Sequence, residues 1–345
     1  MLAWETHASS LAREIPPSSS NRFRDARGTF GAEETTPMKA LIFDPTAPGG
    51  LRLGEAAEPT PKPSQALVEV HAVSLNWAEA AALARLCKPG NVPGWDAAGV
   101  VVRAAQDGSG PQAGTRVSTF HWGGAWAKLR VAETAEMGVV PAEVDFAAAS
   151  ALPVAGVTAL RAVRALGPVL GRRVLVTGAS GGVGRYAVQL ARLAGAHVIA
   201  SVGSSARGIG LDKLGADEVV VGMEGVTELL DGVIDNVGGE LIGRAMSQLA
   251  SGGIIQSVGV ASGASSPIDL HMQRLPNGLR AGGRRVEVFV VGSGLGPDLA
   301  YLMSLVANNR LDASVGWRGS WERAREGMDA LLARSVAGKA VLELP

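Results

Sequence analysis

Three closely spaced glycines have a spacing that is typical of phosphate-binding turns. Gly178, Gly181 and Gly184 lie three residues apart, directly after the apolar run Val174–Thr177. A helical apolar pattern follows them, which predicts a strand, a tight turn and a helix start. Backbone N–H groups and the positive end of a helix dipole at such a turn favour an anion, here a diphosphate. The residues expected to contact it are Gly178, Ser180, Gly181, Gly182, Val183 and Gly184.

The residues after the next predicted strand, His197–Gly203, indicate which dinucleotide would bind. A carboxylate at the end of this strand holds the ribose 2′-hydroxyl of NAD and repels a 2′-phosphate. The chain has no acid there and instead carries Ser204, Ser205 and Arg207. A guanidinium makes strong charge-assisted hydrogen bonds with phosphate. Ser204 and Arg207 therefore favour NADPH over NADH, while a solvated charge at a helix start is the alternative.

Two later strands end in residues that would let a cofactor approach closely. One ends in Asp235-Asn236-Val237-Gly238 and the other in Ser257-Val258-Gly259. Small residues at the carboxyl ends of parallel strands leave room for a ligand. Asn236, Val237 and Gly259 are therefore expected cofactor contacts, and ordinary turn residues are the alternative.

Ser180 also allows a different chemistry. Residues 178–182 fit G-x-S-x-G, the nucleophile elbow of serine hydrolases, and Asp235 and His271 follow in the chain order of that family. This interpretation leaves Gly184 unexplained and does not require the long β region that precedes the turn. The sequence therefore favours the dinucleotide site over the hydrolase.

The elements that must position these residues fall into two groups. Residues 38–141 contain short strands separated by turn residues, with one helix at about 78–86, which predicts a mainly antiparallel β domain. Residues 146–166 are helical and broken near Pro153. Strands and helices then alternate, with helices expected at 184–194, 208–214 and 239–250, which predicts an α/β fold with a doubly wound parallel sheet. Two amphipathic helices, at about 297–308 and 320–333, precede a last strand.

Composition excludes several classes of function. The chain has 345 residues, of which 47% are hydrophobic, and 32 basic residues balance 32 acidic ones. This balance predicts no binding to nucleic acid or to an anionic membrane. Cys87 is the only cysteine, so no intrachain disulfide and no cysteine-based zinc site is expected. A cytoplasmic protein is expected, and residues 1–37 are expected to be a disordered tail or an artefact of start assignment.

Motifs spread over some 300 residues carry a resemblance to a known family. They are Ser74–Asn76, Pro93–Val101, Gly114–Val117, Gly123–Ala127, Leu152–Ala159, the glycine turn, Leu214–Asp217, Asp235–Gly238 and Gly338–Leu342. In this order they resemble the medium-chain dehydrogenase/reductase superfamily, in particular its zinc-free quinone oxidoreductase branch.

The resemblance implies a domain organisation and a partner. It implies a GroES-like domain over residues 38–156, completed by 293–345, and a Rossmann domain over 157–292. The active-site cleft would lie between them. It also implies that Thr158 touches the nicotinamide ribose, and that a homodimer forms through the last Rossmann strands.

The residues at the family's zinc positions predict that no metal binds. Zinc-dependent relatives carry a cysteine near the start of the first-domain helix and Gly-His-Glu after the following loop. Here these places read Leu75-Asn76 and Gly94-Trp95-Asp96. Asparagine and tryptophan cannot replace thiolate and imidazole as zinc ligands. The family's aspartate three residues after the asparagine is Glu79 in this chain.

Without zinc, the expected chemistry is hydride transfer from NADPH to a quinone or an α,β-unsaturated carbonyl. We expect Asn76 to donate a hydrogen bond to the substrate carbonyl, where negative charge develops. A turn residue at the end of the strand is the alternative. The apolar cleft for a flat substrate would be lined by Trp77, Trp95 and Trp122, while packing in the core or at an edge is the more common alternative for a tryptophan. His121 is the nearest candidate for a general acid, though a structural histidine or protonation by solvent is the alternative.

Two other functions remain open. One is an enoyl reductase that acts on acyl thioesters and needs a basic groove, for which the candidates are Arg274, Arg280, Arg284 and Arg285. The other is a non-catalytic protein that binds NADPH and senses redox state.

Overall fold

The computed structural model describes residues 36–267 and 283–345. The strands there are β1 (Pro37–Phe43), β2 (Leu51–Ala57), β3 (Gln65–Leu75), β4 (Asp96–Arg103), β5 (Arg116–Phe120), β6 (Leu129–Glu133), β7 (Met137–Val139), β8 (Arg173–Thr177), β9 (His197–Val202), β10 (Glu218–Val221), β11 (Leu230–Asp235), β12 (Leu249–Ser257), β13 (Arg285–Val288), β14 (Val315–Ser320) and β15 (Lys339–Glu343). The helices are α1 (Trp77–Leu86), α2 (Phe146–Ser150), α3 (Pro153–Ala165), α4 (Gly182–Leu193), α5 (Glu240–Ser247), α6 (Gly296–Ala307) and α7 (Ala324–Leu332).

The first sheet is mainly antiparallel and has seven strands. Six follow the order β14-β15-β3-β4-β5-β7, and β6 also pairs with β3. The strand β15 comes from the end of the chain and lies antiparallel to β3, with Leu342 opposite Val73. A separate antiparallel pair, β1 and β2, runs from Pro37 opposite Ala57 to Phe43 opposite Leu51. The expected antiparallel β domain is confirmed, and its sheet includes the last strand of the chain.

The second sheet is parallel and follows the order β10-β9-β8-β11-β12-β13. Strand order reverses between β8 and β11, because β9 and β10 extend the sheet in one direction and β12 and β13 in the other. In open α/β sheets, ligands bind beyond the carboxyl ends of the strands at such a point. The predicted doubly wound α/β fold is confirmed.

The helix α4 follows β8 and is buried over most of its length. Residues 186–191 are all buried, Arg185 is half-buried and Arg192 is exposed. The Tyr186 hydroxyl donates its one proton to the carbonyl oxygen of Ala313 at 2.5 Å, and the carbonyl oxygen of Ala151 lies 3.3 Å away. These contacts fasten the helix that begins at the glycine turn to segments outside the parallel sheet.

Some element predictions were wrong. The helix expected at 208–214 is a short 3-10 turn, Ser205–Gly208, followed by turns. Gly210 and Gly215 adopt positive φ angles there, which a continuous right-handed helix cannot contain. The strands β7 and β14 were not anticipated. The predicted tail lies outside the described residues except for its last two, and Pro37 already belongs to β1.

None of the helices in the part of the chain that the structure describes is long and apolar enough to cross a membrane.

Candidate functional site

The glycine turn between β8 and α4 is compact because its backbone segments touch. Gly178 has a φ of 59°, a conformation that favours glycine. A Cβ on Gly184 would lie 2.3 Å from the Gly178 carbonyl oxygen, so only glycine fits. A Cβ on Gly181 would meet a single atom, that same oxygen, at 3.4 Å. Gly178 and Gly184 thus build the turn, while the space beside Gly181 is open to a ligand.

Free backbone donors lie at the start of α4. No side chain caps this helix, and the first N–H groups of a helix have no partner within it. The N–H groups of Val183 and Gly184 are of this kind, whereas that of Gly182 faces Gly338 in the β-bridge between Gly181 and Gly338. Together with the helix dipole, the N–H groups of Val183 and Gly184 have the chemistry of an anion site.

The ends of three neighbouring strands converge beside Gly178. A Cβ on Gly178 would lie 3.2 Å from Val237 Cγ2 and 3.4 Å from Asn236 Cβ. A Cβ on Gly259 would lie 2.7 Å from the Asn236 carbonyl oxygen. The structure therefore brings together the carboxyl ends of β8, β11 and β12, where the cofactor contacts were expected.

Asp235 holds this edge in place and is not part of a catalytic triad. It is fully buried and accepts hydrogen bonds from the Thr177 hydroxyl at 2.6 Å and from Gly238 N at 3.0 Å. Burial raises the pKa of its carboxyl group. A carboxylate committed to these donors is not free to orient a histidine, and His271 lies outside the described residues. The structure gives no support to the hydrolase interpretation of Ser180.

Arg207 lies beyond the end of β9, next to Ser204. Its backbone N–H donates to the Ser204 carbonyl at 3.0 Å, and its Nη1 lies 3.7 Å from where a Cβ on Gly203 would stand. Within residues 36–267 and 283–345 no hydrogen bond or ion pair engages its guanidinium. The side chain is half-buried and available to an anionic ligand.

A buried cluster of charges surrounds Asn76 at the start of α1. The Asn76 Nδ2 donates to Glu79 Oε2 at 2.7 Å and to Asp96 Oδ2 at 3.0 Å. The Lys339 ammonium donates to Asn76 Oδ1 at 2.7 Å, and lies 3.7 Å from Asp96 Oδ2. All four side chains are at most 8% exposed. We call Asn76, Glu79, Asp96 and Lys339 the Asn76 cluster.

Burial governs the protonation of the Asn76 cluster. It raises the pKa of Glu79 to about 8, with a further increase from the Asp96 carboxylate. It also raises the pKa of Asp96 and lowers that of Lys339. Burial lowers the pKa of the nearby Arg130 guanidinium to about 10. Burial thus favours the protonated form of Glu79, and Lys339 is the cation closest to Asp96.

The role predicted for Asn76 needs correction. Both protons of its amide are donated to carboxyl groups within the Asn76 cluster, and its oxygen accepts from Lys339. No amide proton remains for a substrate carbonyl. Asn76 thus organises neighbouring side chains, and the predicted hydrogen bond from it to the substrate is not available in this arrangement.

Two of the three expected tryptophans lie together. The rings of Trp95 and Trp122 meet edge to face with centroids 5.1 Å apart, and Phe120 contacts Trp122 at 4.9 Å. Trp122 is exposed and Trp95 half-buried. Trp77 is exposed at the first position of α1, and within the described residues its ring contacts neither of them.

His121, next to Trp122, is poorly suited to donate a proton. Burial and then the positive charge of Arg130 lower the pKa of its imidazole. One ring nitrogen, Nδ1, lies 3.1 Å from the Gly123 carbonyl oxygen. A neutral imidazole at pH 7 is thus expected, which disfavours the general-acid role.

The remaining predicted residues lie at two different places. Thr158 is buried in α3, the helix that packs against α4. Arg285 begins β13, so it and Arg284 lie at the amino end of the parallel sheet, away from the glycine turn. Arg274 and Arg280 lie outside the described residues. The basic groove that an acyl carrier would need is therefore not formed by Arg284 and Arg285.

Lys339 is a site residue that sequence reasoning missed. It appeared only within a family motif, as the single charge at the start of the apolar run Lys339–Leu342. A lone charge entering an apolar strand is a signal of burial with a partner. Its partners could not be read from the sequence, because Asn76 lies 263 residues earlier.

Two protein families match the chain. The alcohol dehydrogenase GroES-like domain family matches residues 62–151, and the zinc-binding dehydrogenase family matches residues 182–308.

The residues of this chain do not fit the zinc ion that the second family name implies. At the expected place, the Lys339 ammonium already contacts Asn76 and Asp96. A second cation there would face a buried positive charge. Among the described residues, no three histidine, cysteine or acidic side chains are grouped as a metal site requires.

Solved structures share the fold. The quinone oxidoreductase of Coxiella burnetii has a TM-score of 0.77 at 25% identity, covering 90% of this chain and all of its own. The quinone oxidoreductase of Escherichia coli, solved in complex with NADPH, has a TM-score of 0.76 at 22% identity, covering 88% of this chain and 99% of its own.

Curated relatives are reductases. A chloroplastic quinone-oxidoreductase from Triphysaria versicolor is 38% identical over 201 residues, which is 53% of this chain and 60% of the relative. Prostaglandin reductase-3 from Bos taurus is 30% identical over 259 residues, 66% of this chain and 68% of the relative. An acrylyl-CoA reductase from Ruegeria pomeroyi is 34% identical over 228 residues, 55% of this chain and 67% of the relative.

The chain spans about 60% of the length of the first relatives it matches. Its motifs, both family matches and the shared fold agree. The chain belongs to the medium-chain dehydrogenase/reductase superfamily, in its quinone oxidoreductase-like branch.

Proposed function

We propose that the protein is an NADPH-dependent reductase that transfers a hydride to a quinone or an α,β-unsaturated carbonyl without zinc. The observation that carries this proposal is the open space beside Gly181 at the start of α4. Beyond the next strand lies Arg207, whose guanidinium has no hydrogen-bond or ion-pair partner within the described residues. The two features suit the diphosphate and the 2′-phosphate of one NADPH molecule.

Each part of the site would have a separate task. The N–H groups of Val183 and Gly184 would bind the diphosphate, with Ser180, Gly181 and Gly182 beside them. The small or neutral ends of β11 and β12, at Asn236, Val237 and Gly259, would let the nicotinamide half lie close to the sheet. Arg207 and Ser204 would hold the 2′-phosphate, and Thr158 the nicotinamide ribose.

NADPH supplies a hydride when bound, and the acceptor also takes up a proton, for which solvent is the proposed source. The chain would orient the acceptor against the cofactor and exclude water. Trp95 and Trp122 form an apolar edge suited to a flat ring. Trp77 offers a second, exposed aromatic surface near the Asn76 cluster.

The proposal is tested by stopped-flow measurement of NADPH oxidation with a panel of quinones, enones and enoyl thioesters, and with NADH as a control. We expect turnover with a quinone or an enone, and faster turnover with NADPH than with NADH. Tight NADPH binding without turnover on any acceptor would contradict the proposal and favour the redox sensor.

An enoyl-thioester reductase is the second candidate. It is favoured by the acrylyl-CoA reductase of Ruegeria pomeroyi, two thirds of which the chain covers. A kcat/KM for acrylyl-CoA well above that for every quinone would establish this candidate instead.

We also propose a homodimer formed through the edge of the parallel sheet, in a cytoplasmic protein. The edge strand β13 exposes Val288, which is 80% accessible, and Val290 after it is 52% accessible. The unpaired N–H and C=O groups of an edge strand, beside exposed valines, can pair with a second chain. Light scattering of the purified protein tests the assembly.

A further inference from the structure

We propose that Lys339 is a positioning residue that links the glycine turn to the Asn76 cluster. Binding of NADPH at the turn would then change the position of the Asn76 side chain. This inference rests on the proposed function, because it concerns how hydride transfer is aligned. The link consists of one dipeptide, Gly338-Lys339, at the start of β15.

The backbone and stem of this dipeptide contact the glycine turn. Gly338 N donates to the Ser180 carbonyl at 3.0 Å, and Gly338 forms a β-bridge with Gly181. The Lys339 stem then passes beside Gly182, where a Cβ would lie 2.8 Å from Lys339 Cδ. The stem therefore runs directly against the first residue of α4.

The ammonium of the same side chain ends in the Asn76 cluster. It donates to Asn76 Oδ1 at 2.7 Å and to the Leu75 carbonyl at 3.1 Å, and lies 3.7 Å from Asp96 Oδ2. Its side chain is 3% exposed and that of Asp96 is fully buried. Water therefore cannot take the place of any of these contacts.

These contacts give the side chain two attachments with a buried, closely packed stem between them. A shift of the turn upon diphosphate binding would move the stem, and the ammonium would carry the Asn76 amide with it. Asn76 precedes Trp77 and is hydrogen-bonded to Asp96, which follows Trp95, so the cluster supports the two places where an acceptor would bind. A misplacement of about 1 Å can reduce turnover about a hundredfold.

The test compares Lys339→Met, which keeps the stem and removes the ammonium, with wild type. We expect an NADPH dissociation constant close to that of wild type and a kcat lower by about 10- to 100-fold. Unchanged kcat in the folded variant would overturn the proposal. Lys128→Met is the matched control, since Lys128 also donates to the C-terminal strand region, at the Pro345 carbonyl, but lies away from the turn; its kcat should stay at the wild-type value.

A second variant separates positioning from simple charge balance. Lys339→Met removes the cation closest to the buried Asp96, although the Arg130 guanidinium still acts on that carboxyl group, and should lower the melting temperature. In Lys339→Met/Asp96→Asn that imbalance is removed, so the melting temperature should recover while kcat stays low. Recovery of kcat together with stability would show that Lys339 only balances charge and would overturn the proposal.

A third readout does not depend on turnover. In protein labelled with 15N-asparagine, addition of NADPH should shift the Asn76 side-chain amide signal in wild type and leave it unmoved in Lys339→Met. An equal shift in both proteins would overturn the link. If wild type binds NADPH but reduces no acceptor, the proposed function fails while this measurement still decides the role of Lys339.

Discussion

The orientation of the Asn76 amide follows from the charges around it. Its NH2 group faces the carboxyl groups of Glu79 and Asp96, and its oxygen faces the Lys339 ammonium. A flipped amide would place its oxygen against two carboxyl groups and its NH2 group against an ammonium, so the network selects one orientation. A neutral side chain thus links two carboxyl groups to the ammonium, in addition to the direct approach of Lys339 to Asp96 at 3.7 Å.

The raised pKa of Glu79 predicts a pH dependence of stability. Burial raises this pKa from an ordinary 4.5 to about 8. Between these values the folded protein holds a proton that the unfolded chain has released. Its contribution to the free energy of unfolding is therefore present below about pH 4.5 and is lost as the pH rises towards 8. Glu79→Gln cannot titrate and still offers an oxygen to Asn76, so we expect it to gain stability relative to wild type across this window.

Urea unfolding of both proteins at several pH values checks this expectation. Glu143→Gln, at an exposed glutamate, is the control and should follow the wild-type curve. Parallel curves for Glu79→Gln and wild type would show that Glu79 does not hold its proton.

Arg207 is predicted to select the cofactor. In Arg207→Met the 2′-phosphate loses a charge-assisted partner, an interaction of about 1.5–3 kcal/mol. We expect the dissociation constant for NADPH to rise about 10- to 100-fold, with little change for NADH. Fluorescence titration with both cofactors measures the two constants.

The control for this selectivity is Arg192→Met. Arg192 is an exposed arginine paired with Asp217 at 3.0 Å, so its loss should alter neither constant. If Arg207→Met weakens the binding of NADPH and NADH equally, Arg207 does not bind the 2′-phosphate.

At the scale of elements, the glycine turn contains two kinds of glycine, and substitution distinguishes them. In Gly184→Ala the new Cβ would lie 2.3 Å from a backbone oxygen, so we expect a loss of about 1–3 kcal/mol in stability as well as weaker NADPH binding. In Gly181→Ala the Cβ meets little protein and the φ of −81° is allowed for alanine. Stability should then change by no more than about 0.5 kcal/mol, while NADPH binding weakens about tenfold.

Thermal unfolding and NADPH titration of the two variants check this contrast. Loss of stability in Gly181→Ala, or unchanged binding in both variants, would show that the ligand does not lie beside Gly181.

The elements differ in how far the sequence predicts them. The turn from Val174 to Gly184 is local, so its strand, glycines and helix could be read from spacing. The absence of a helix after Gly208 could not, because it depends on the positive φ angles of Gly210 and Gly215. The Asn76 cluster could not be predicted either, since burial and a lysine 263 residues away decide what Asn76 can donate.

At the scale of the whole molecule, the edge strand β13 predicts how two chains would assemble. A lysine at position 288 would place a charge in the proposed interface, so Val288→Lys should give the monomer mass of 35.3 kDa where wild type gives twice that value. Val219→Lys, on the edge strand β10 at the other side of the same sheet, is the control and should leave the dimer intact. Light scattering after size-exclusion chromatography reports both masses. A monomeric wild type would contradict the assembly.

The strand β15 makes the site depend on contacts between distant parts of the chain. Gly338 and Lys339 contact the glycine turn and a carbonyl 264 residues earlier. Contacts this distant in sequence form late in folding, because a long loop must close before they are made. Folding of the glycine turn alone is therefore not enough to complete the site, which is finished only when β15 joins the first sheet.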